Sequence, residues 1–183
     1  DGNLGETVEF IKNCPECGTS LVRYEGEAAH YCPNDSGCAP QLKGKVEHFI
    51  SRDAMNIESL GPETVDEYFS RGLIADAADL YRLTVADLAG ADRSRLKSAK
   101  KITDSIERSK DVPFDRVIYA LGIRFVGKVV AKLIARHFHN IETIRHAARE
   151  DFLQIEGIGE VIADSVIAWM HDRRNELLLS RLQ

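Results

Sequence analysis

"IEGIGEVIADS", residues 155–165, sets Gly157 and Gly159 around a single isoleucine, directly before an amphipathic helix pattern. Inside a helix a glycine costs roughly 0.5–1 kcal/mol relative to alanine; it is useful where backbone must approach another group closely or take positive φ. Here it stands at a helix start. The first N–H groups of a helix have no intrahelical partner, and the peptide dipoles present their positive end there. A glycine hairpin at that point lets a phosphate oxygen reach those donors without meeting a Cβ. Seen once, the pattern could equally be a tight turn, so its meaning depends on whether it recurs.

It recurs. Gly159 precedes Ala163 by four residues, as Gly127 precedes Ala131 and Gly61 precedes Val65. A divergent frame sets Arg95 before Ala99, with Ser94 in the apolar hairpin position. Leu80, Leu83, Asp87 and Leu88 echo Ile144, Ala147, Asp151 and Phe152 at identical spacing. The unit is helix, hairpin, helix, used four times. The apolar period agrees. Val46, Phe49 and Ile50 form one face; Val126, Val129, Val130, Leu133, Ile134 and Phe138 form another; Ile162, Val166 and Trp169 form the last. Ile102 and Ile106 predict a helix from about Ser94 to Ser109. Trp169 and Tyr119 read as core residues. No strong strand pattern follows residue 32, so the body is predicted to be all-α.

A repeated phosphate-facing hairpin implies nucleic acid, yet the formal net charge is -5 and the pI about 5.7. The acidity is local. Residues 1–40 carry seven acids and two bases, whereas residues 41–183 carry 22 of each. Within the neutral body, Arg124, Lys128, Lys132 and Arg136 recur every four residues, predicted along one side of the third copy's helix, and no acid lies between Asp115 and Glu142. Arg93, Arg95, Lys97, Lys100 and Lys101 form a second acid-free run. Basic patches plus helix dipoles suffice for backbone contact. The first copy, with Pro62, Glu63, Asp66 and Glu67, is acidic and suits packing more than DNA. The candidate DNA-binding set is Gly61, Arg95, Lys97, Arg124, Gly127, Lys128, Lys132, Gly157 and Gly159. No helix is studded with Asn, Gln and Arg for base edges, so binding independent of sequence is expected.

All four cysteines, Cys14, Cys17, Cys32 and Cys38, fall in the front segment. A secreted disulfide scaffold would spread them over the fold; this clustering predicts a local metal site in a reducing cytoplasm. Two short-range pairs joined by a hairpin turning near Glu25-Gly26-Glu27 bring four thiolates to one point, which suits structural Zn2+. His30 is expected to be a solvated hairpin residue, and a redox Cys-x-x-Cys would need a βαβ pattern that is missing. So little apolar content cannot fold alone, and the metal must supply the folding energy. The expected organisation is a linker over 1–13, a tetracysteine zinc finger over 14–40 and a helix-hairpin-helix domain of four motifs over 41–183. The start, "DGNLGETVEF", lacks a signal pattern and reads as part of a longer chain.

In order, the cysteine spacing, "CAPQL", "HFISRDAMNIESLG", "DLYRLT", "LKSAKKI", "ALGIRFVG" and "IEGIGEVIADSV" resemble the bacterial NAD-dependent DNA ligases over about residues 14–172. That resemblance implies the tetracysteine zinc finger and the four-motif helix-hairpin-helix domain, with an adenylation domain and an OB-fold before them and a BRCT domain after. It implies an enzyme that seals nicks in replication and repair, using NAD and Mg2+, by adenylating a lysine and then the 5′-phosphate. The nucleophile's Lys-x-Asp-Gly motif follows no lysine here, so no catalytic residue is assigned and the fragment is expected to be inactive alone. The implied partners are nicked duplex DNA and the adjoining domains, with the zinc finger fixing the hairpins' orientation relative to the OB-fold. The implied setting is the bacterial cytoplasm at the nucleoid, as a monomer with no membrane attachment. Two other readings stand beside this one: a zinc-stabilised protein-interaction scaffold, and a helix-hairpin-helix module of another repair protein.

Overall fold

The computed structural model describes residues 10–183, so most of the expected 1–13 linker lies outside the described residues. The chain divides into two compact units, one reaching Leu42 and one covering Lys43–Gln183.

In the first unit the predicted hairpin is present but minimal. It consists of isolated antiparallel bridges, Asn13 to Ser20 and Val22 to Tyr31, rather than extended strands. The backbone pairing begins ahead of the first cysteine, with the Leu21 N–H donating to the Lys12 carbonyl at 2.8 Å. Gly18 and Gly26 take φ of +72° and +80°, which closes the Cys14–Cys17 knuckle and the hairpin turn respectively. Two bridges cannot support a hairpin in water. The cysteines must therefore hold it.

The second unit is helical, as expected. Helices α1 (Ala39–Ile50) and α2 (Pro62–Ser70) flank the first hairpin. A 3-10 helix, Ala77–Arg82, and α3 (Val85–Ala89) lead to the second, which α4 (Leu96–Ser109) leaves. Helices α5 (Phe114–Ala120) and α6 (Lys128–Phe138) flank the third. Helices α7 (Ile141–His146) and α8 (Arg149–Leu153) precede the fourth, α9 (Glu160–Met170) leaves it, and α10 (Arg173–Leu182) follows. No helix among the described residues is long and apolar enough to cross a membrane.

The repeat is written in caps as well as in apolar residues. Asp76 accepts from the Ala78 and Asp79 N–H groups, and Asn140, at the matching position, accepts from Thr143 at 2.8 Å. The Thr84 N–H donates to Asp87 at 2.8 Å, and the Ala148 N–H to Asp151 at 2.8 Å. Two copies make a half, and each half has its own core. One is built around Val46, Val65, Leu80, Ala99 and Ile102, the other around Ile118, Ala131, Ile134, Phe152 and Ala163. Tyr119 and Leu182 pack against both. Trp169 is partly buried against the second core.

Two features differ from the sequence reading: α10 follows the helix of Trp169, which was read as the last, and one boundary is shifted. Helix α4 starts at Leu96, after a 3-10 turn over Arg93–Arg95. The cause is Asp92, whose carboxylate accepts from the Ser94 N–H at 2.9 Å and the Ser94 hydroxyl at 2.6 Å. A short polar side chain that captures nearby backbone competes with regular helix.

Candidate metal centre and nucleic-acid interface

The four cysteine sulfurs lie within 4.8 Å of one another. Cys14 and Cys38 Sγ are 3.9 Å apart, Cys17 and Cys32 Sγ 3.5 Å. Zinc with sulfur at about 2.3 Å in a tetrahedron requires sulfur pairs about 3.8 Å apart. The cluster therefore has the donor set and nearly the edge length of a structural zinc site. The N–H groups of the two knuckles fix it: Gly18 donates to Cys14 at 2.8 Å and Cys38 to Asn34 at 3.1 Å. The Thr19 hydroxyl and backbone beside Cys17 lower that thiol to about 6, whereas burial pushes Cys38 up to about 12 and raises Cys32. Burial penalises thiolate charge, and a divalent cation removes that penalty. His30 is exposed, stacks on Phe10 with ring centroids 5.7 Å apart, and is not part of the cluster.

In the helical unit the hairpins share one backbone design. Gly61, Gly127 and Gly159 are the N-caps of α2, α6 and α9, with φ of -114°, -82° and -96° and ψ near 180°. The glycine carbonyl accepts from Val65, Ala131 and Ala163 respectively, at 2.9, 2.9 and 3.0 Å. Those three residues are fully buried, which is why the fourth position must be small or apolar. The residue before each cap, Leu60, Val126 or Ile158, is also buried. Two before each cap comes a left-handed residue: Ser59 at φ +65°, Phe125 at +66° and Gly157 at +92°. Among the candidate glycines Gly61, Gly127, Gly157 and Gly159, then, Gly157 is the one with positive φ. A Cβ there would also sit 3.2 Å from Leu133.

The cap glycines have no such internal reason. A Cβ at Gly61, Gly127 or Gly159 meets nothing within 4 Å, and none of the three N-termini has a side-chain cap. Other helix starts are capped by a side chain, as at Asp76, Thr84, Asn140 and Asp172, while α4, α5 and α8 also lack one. At the hairpins the chain forgoes a few tenths of a kcal/mol, the cost of Gly in place of a side-chain cap, and leaves first-turn N–H groups without a side-chain acceptor.

Sequence reasoning missed the groups that aim the hairpins. Ser105 of α4, itself buried, accepts from the Glu58 N–H at 2.7 Å in the first hairpin. Ser165 of α9 donates to the Arg124 carbonyl at 2.6 Å, at the matching position of the third. Neither has a local signal, because each partner lies over 40 residues away. Val129, read as part of the apolar face of α6, is instead 73% exposed, because the face that packs is set by Ala131, Ile134 and Phe138. Phe125, 50% exposed, and Val161, 61% exposed, went unread, and all three lie within two residues of a hairpin glycine.

Several basic candidates are placed differently from the expectation. Arg124 is in the hairpin, not on α6, and its guanidinium stands 4.9 Å from the Phe125 ring centroid. Lys128 opens α6 but pairs with Asp53 at 2.9 Å. Arg95 pairs with Glu67 at 2.7 Å, and Glu67 also holds Arg71 at 3.1 Å. The acid-free runs are thus met in space by acids of the first copy, whose Asp66 likewise pairs with Lys43. Lys97 and Lys132 are exposed.

Residues 116–179 match the helix-hairpin-helix motif, and residues 13–39 match the C4 zinc finger domain of NAD-dependent DNA ligase. The chain is 57% identical over 180 residues to a DNA ligase of Bacteroides fragilis, covering 98% of this chain and 27% of that protein. It is 54% identical over 180 residues to a DNA ligase of Parabacteroides distasonis and 47% identical over 178 residues to one of Flavobacterium johnsoniae, covering 98% and 97% of this chain and 27% of each relative. The chain spans about a quarter of the length of the curated relatives it matches. The resemblance read from the motifs is borne out.

Proposed function

We propose that this chain, which carries the C4 zinc finger and helix-hairpin-helix segment of a bacterial NAD-dependent DNA ligase, is the part that grips duplex DNA around a nick. One observation carries the reading. Three helix N-termini keep an uncapped glycine in open space, where neither φ nor any internal atom demands glycine. Their common requirement is external: a phosphate that must approach the first-turn N–H groups. Lys132, Lys97 and Arg124 add positive charge around that path, and Phe125, Val129 and Val161 offer apolar contact to sugar edges. Contacts of this kind position a protein on a duplex without reading its sequence.

In this reading the parent enzyme seals the nick with NAD and Mg2+ through domains outside this chain, and the chain alone does not ligate. Cys14, Cys17, Cys32 and Cys38 hold Zn2+. Bound there, zinc supplies folding energy and no chemistry, since four thiolates leave no open position. The proposed setting is the bacterial cytoplasm, and the proposed partners are nicked duplex and the adjoining ligase domains.

The test is binding of a nicked duplex. Because φ at Gly127 and Gly159 suits any residue and a Cβ has room, Gly127→Val and Gly159→Val should fold normally. Each should still weaken binding about tenfold, the loss of a charge-assisted hydrogen bond at about 1.5–3 kcal/mol less any residual contact. Lys132→Ala should instead lower the salt slope by about one. Folded glycine variants that bind as tightly as wild type would make the hairpins packing turns and turn the chain into a scaffold.

A further inference from the structure

The strongest unexplained feature lies beside the third hairpin. Lys128 follows Gly127 directly, yet its ammonium is already occupied by the Asp53 carboxylate, 2.9 Å away. Asp53 is not a chance neighbour on a loose loop. It sits in the tight turn after α1, where the Ala54 N–H donates to Ser51 at 3.0 Å and the Met55 N–H to Phe49 at 3.0 Å. Ala54 is fully buried. From the other side, Arg116 of α5 donates to the Ala54 carbonyl at 2.8 Å and to the Arg52 carbonyl. The third copy thus holds the turn that presents the acid to its own lysine. The pair opens onto a cleft of about 550 Å³ lined by Arg52, Asp53, Asp115, Arg116, Lys128 and Lys132, four cations against two acids.

We infer that Asp53 stands in for a DNA phosphate on Lys128, so that duplex binding at the third hairpin exchanges a carboxylate for a phosphate. The inference rests on the reading of the hairpins given above and adds a competitor inside the protein. A second pair repeats the arrangement: Glu67, on α2 of the first copy, occupies Arg95 at the second hairpin. The acids of the first copy therefore have a use beyond packing, as internal ligands for cations of the other copies. Lys128 and Asp53 shift each other in the directions of a formed ion pair, Asp53 down and Lys128 up. Both side chains remain more than half exposed, so the pair is weak and can open. An exchange of this kind tempers affinity while keeping the lysine ordered and aimed.

The experiment measures the dissociation constant of the 183-residue chain for a nicked duplex at fixed salt. The proteins are wild type, Asp53→Asn, Lys128→Ala, the double variant, and Asp111→Asn as a control of equal charge at an exposed site. Asp53→Asn should tighten binding about two- to fivefold, the range of an exposed ion pair. The gain should vanish in the Lys128→Ala background, and Asp111→Asn should leave binding within about twofold of wild type. If Asp53→Asn leaves binding unchanged or weakens it, Asp53 positions Lys128 rather than competing for it, and the inference falls while the proposed function stands. A gain that survives Lys128→Ala, or one that Asp111→Asn matches, reduces the effect to net charge and overturns it as well. A wild-type chain that binds no duplex removes the proposed function and this inference together.

Discussion

At Asp172 one carboxylate does two jobs. It caps α10 by accepting from the Arg174 N–H at 2.8 Å, and it pairs with the Arg174 guanidinium at 2.8 Å. The guanidinium first, and then that N–H, hold the carboxyl down at about 2. A depressed folded-state value gives stability that is present above the unfolded value, near 4, and is lost as pH falls through about 2. The thermal midpoint of wild type should therefore converge on that of Asp172→Asn between about pH 4 and pH 2. A gap that stays constant over that range would show that the charge contributes nothing. This residue is also a fair measure of what could be read in advance. An Asp before a helix is a recognised cap, yet neither Asp172 nor α10 behind it was read from the sequence, whereas the clustered cysteines announced themselves by spacing. Asp53, Glu67, Ser105 and Ser165 did not, because their roles exist only through partners distant in sequence.

At the scale of elements, the zinc finger and the hairpins depend on different forces. The finger has two isolated bridges and few buried side chains, so the zinc proposed for its cysteines would supply its folding energy, about 10–16 kcal/mol in finger peptides. Cys32→Ser should release zinc and disorder the finger while leaving the far-ultraviolet helical signal nearly intact, since the helices lie almost wholly beyond it in the chain. Zinc content measured by atomic absorption, together with circular dichroism, checks this; a wild type without stoichiometric zinc, or a collapse of helicity in the variant, contradicts it. The longer helices α1, α4, α6 and α9 were legible because their apolar residues recur every three or four positions, whereas α10 was not read. The left-handed residue of each hairpin was not: Ser59 and Phe125 carry no signal for positive φ, and only Gly157 does. The start of α4 departs from the periodicity for a similar reason, since Asp92 competes locally with the helix that the apolar pattern predicts.

The helical unit as a whole is two cores joined by a few residues. Leu182 of α10 and Tyr119 of α5 touch both. Arg181 adds ion pairs to Asp76 and Asp79, so the last helix is tied to the 3-10 helix of the first half. Two small cores coupled in this way should unfold together only while the joint holds. Calorimetry of wild type should show one helical transition, with calorimetric and van't Hoff enthalpies in agreement. Leu182→Ala combined with Arg181→Ala should broaden or split it. A variant that keeps a single sharp transition would show that Tyr119, the bonds of Arg116 and Lys128 to the turn after α1, and the chain between the halves are enough. None of this coupling could be read from the repeat, which gives the units but not their joints.

The shared left-handed position also has a meaning in terms of chirality. For an L-residue such as Ser59 or Phe125, φ near +65° costs on the order of 1 kcal/mol, because the Cβ lies on the wrong side of the backbone. A mirror-image residue has its Cβ on the opposite side, and what strains the natural chain suits the enantiomer. In a chemically synthesised chain, the D-enantiomer of serine at Ser59 or of phenylalanine at Phe125 would be at home, whereas D-alanine at Gly127, where φ is -82°, would be the misfit. The first and third hairpins thus each hold two nearby sites of opposite handedness: one that would accept the mirror image, and one, open to solvent, that is kept free of any side chain.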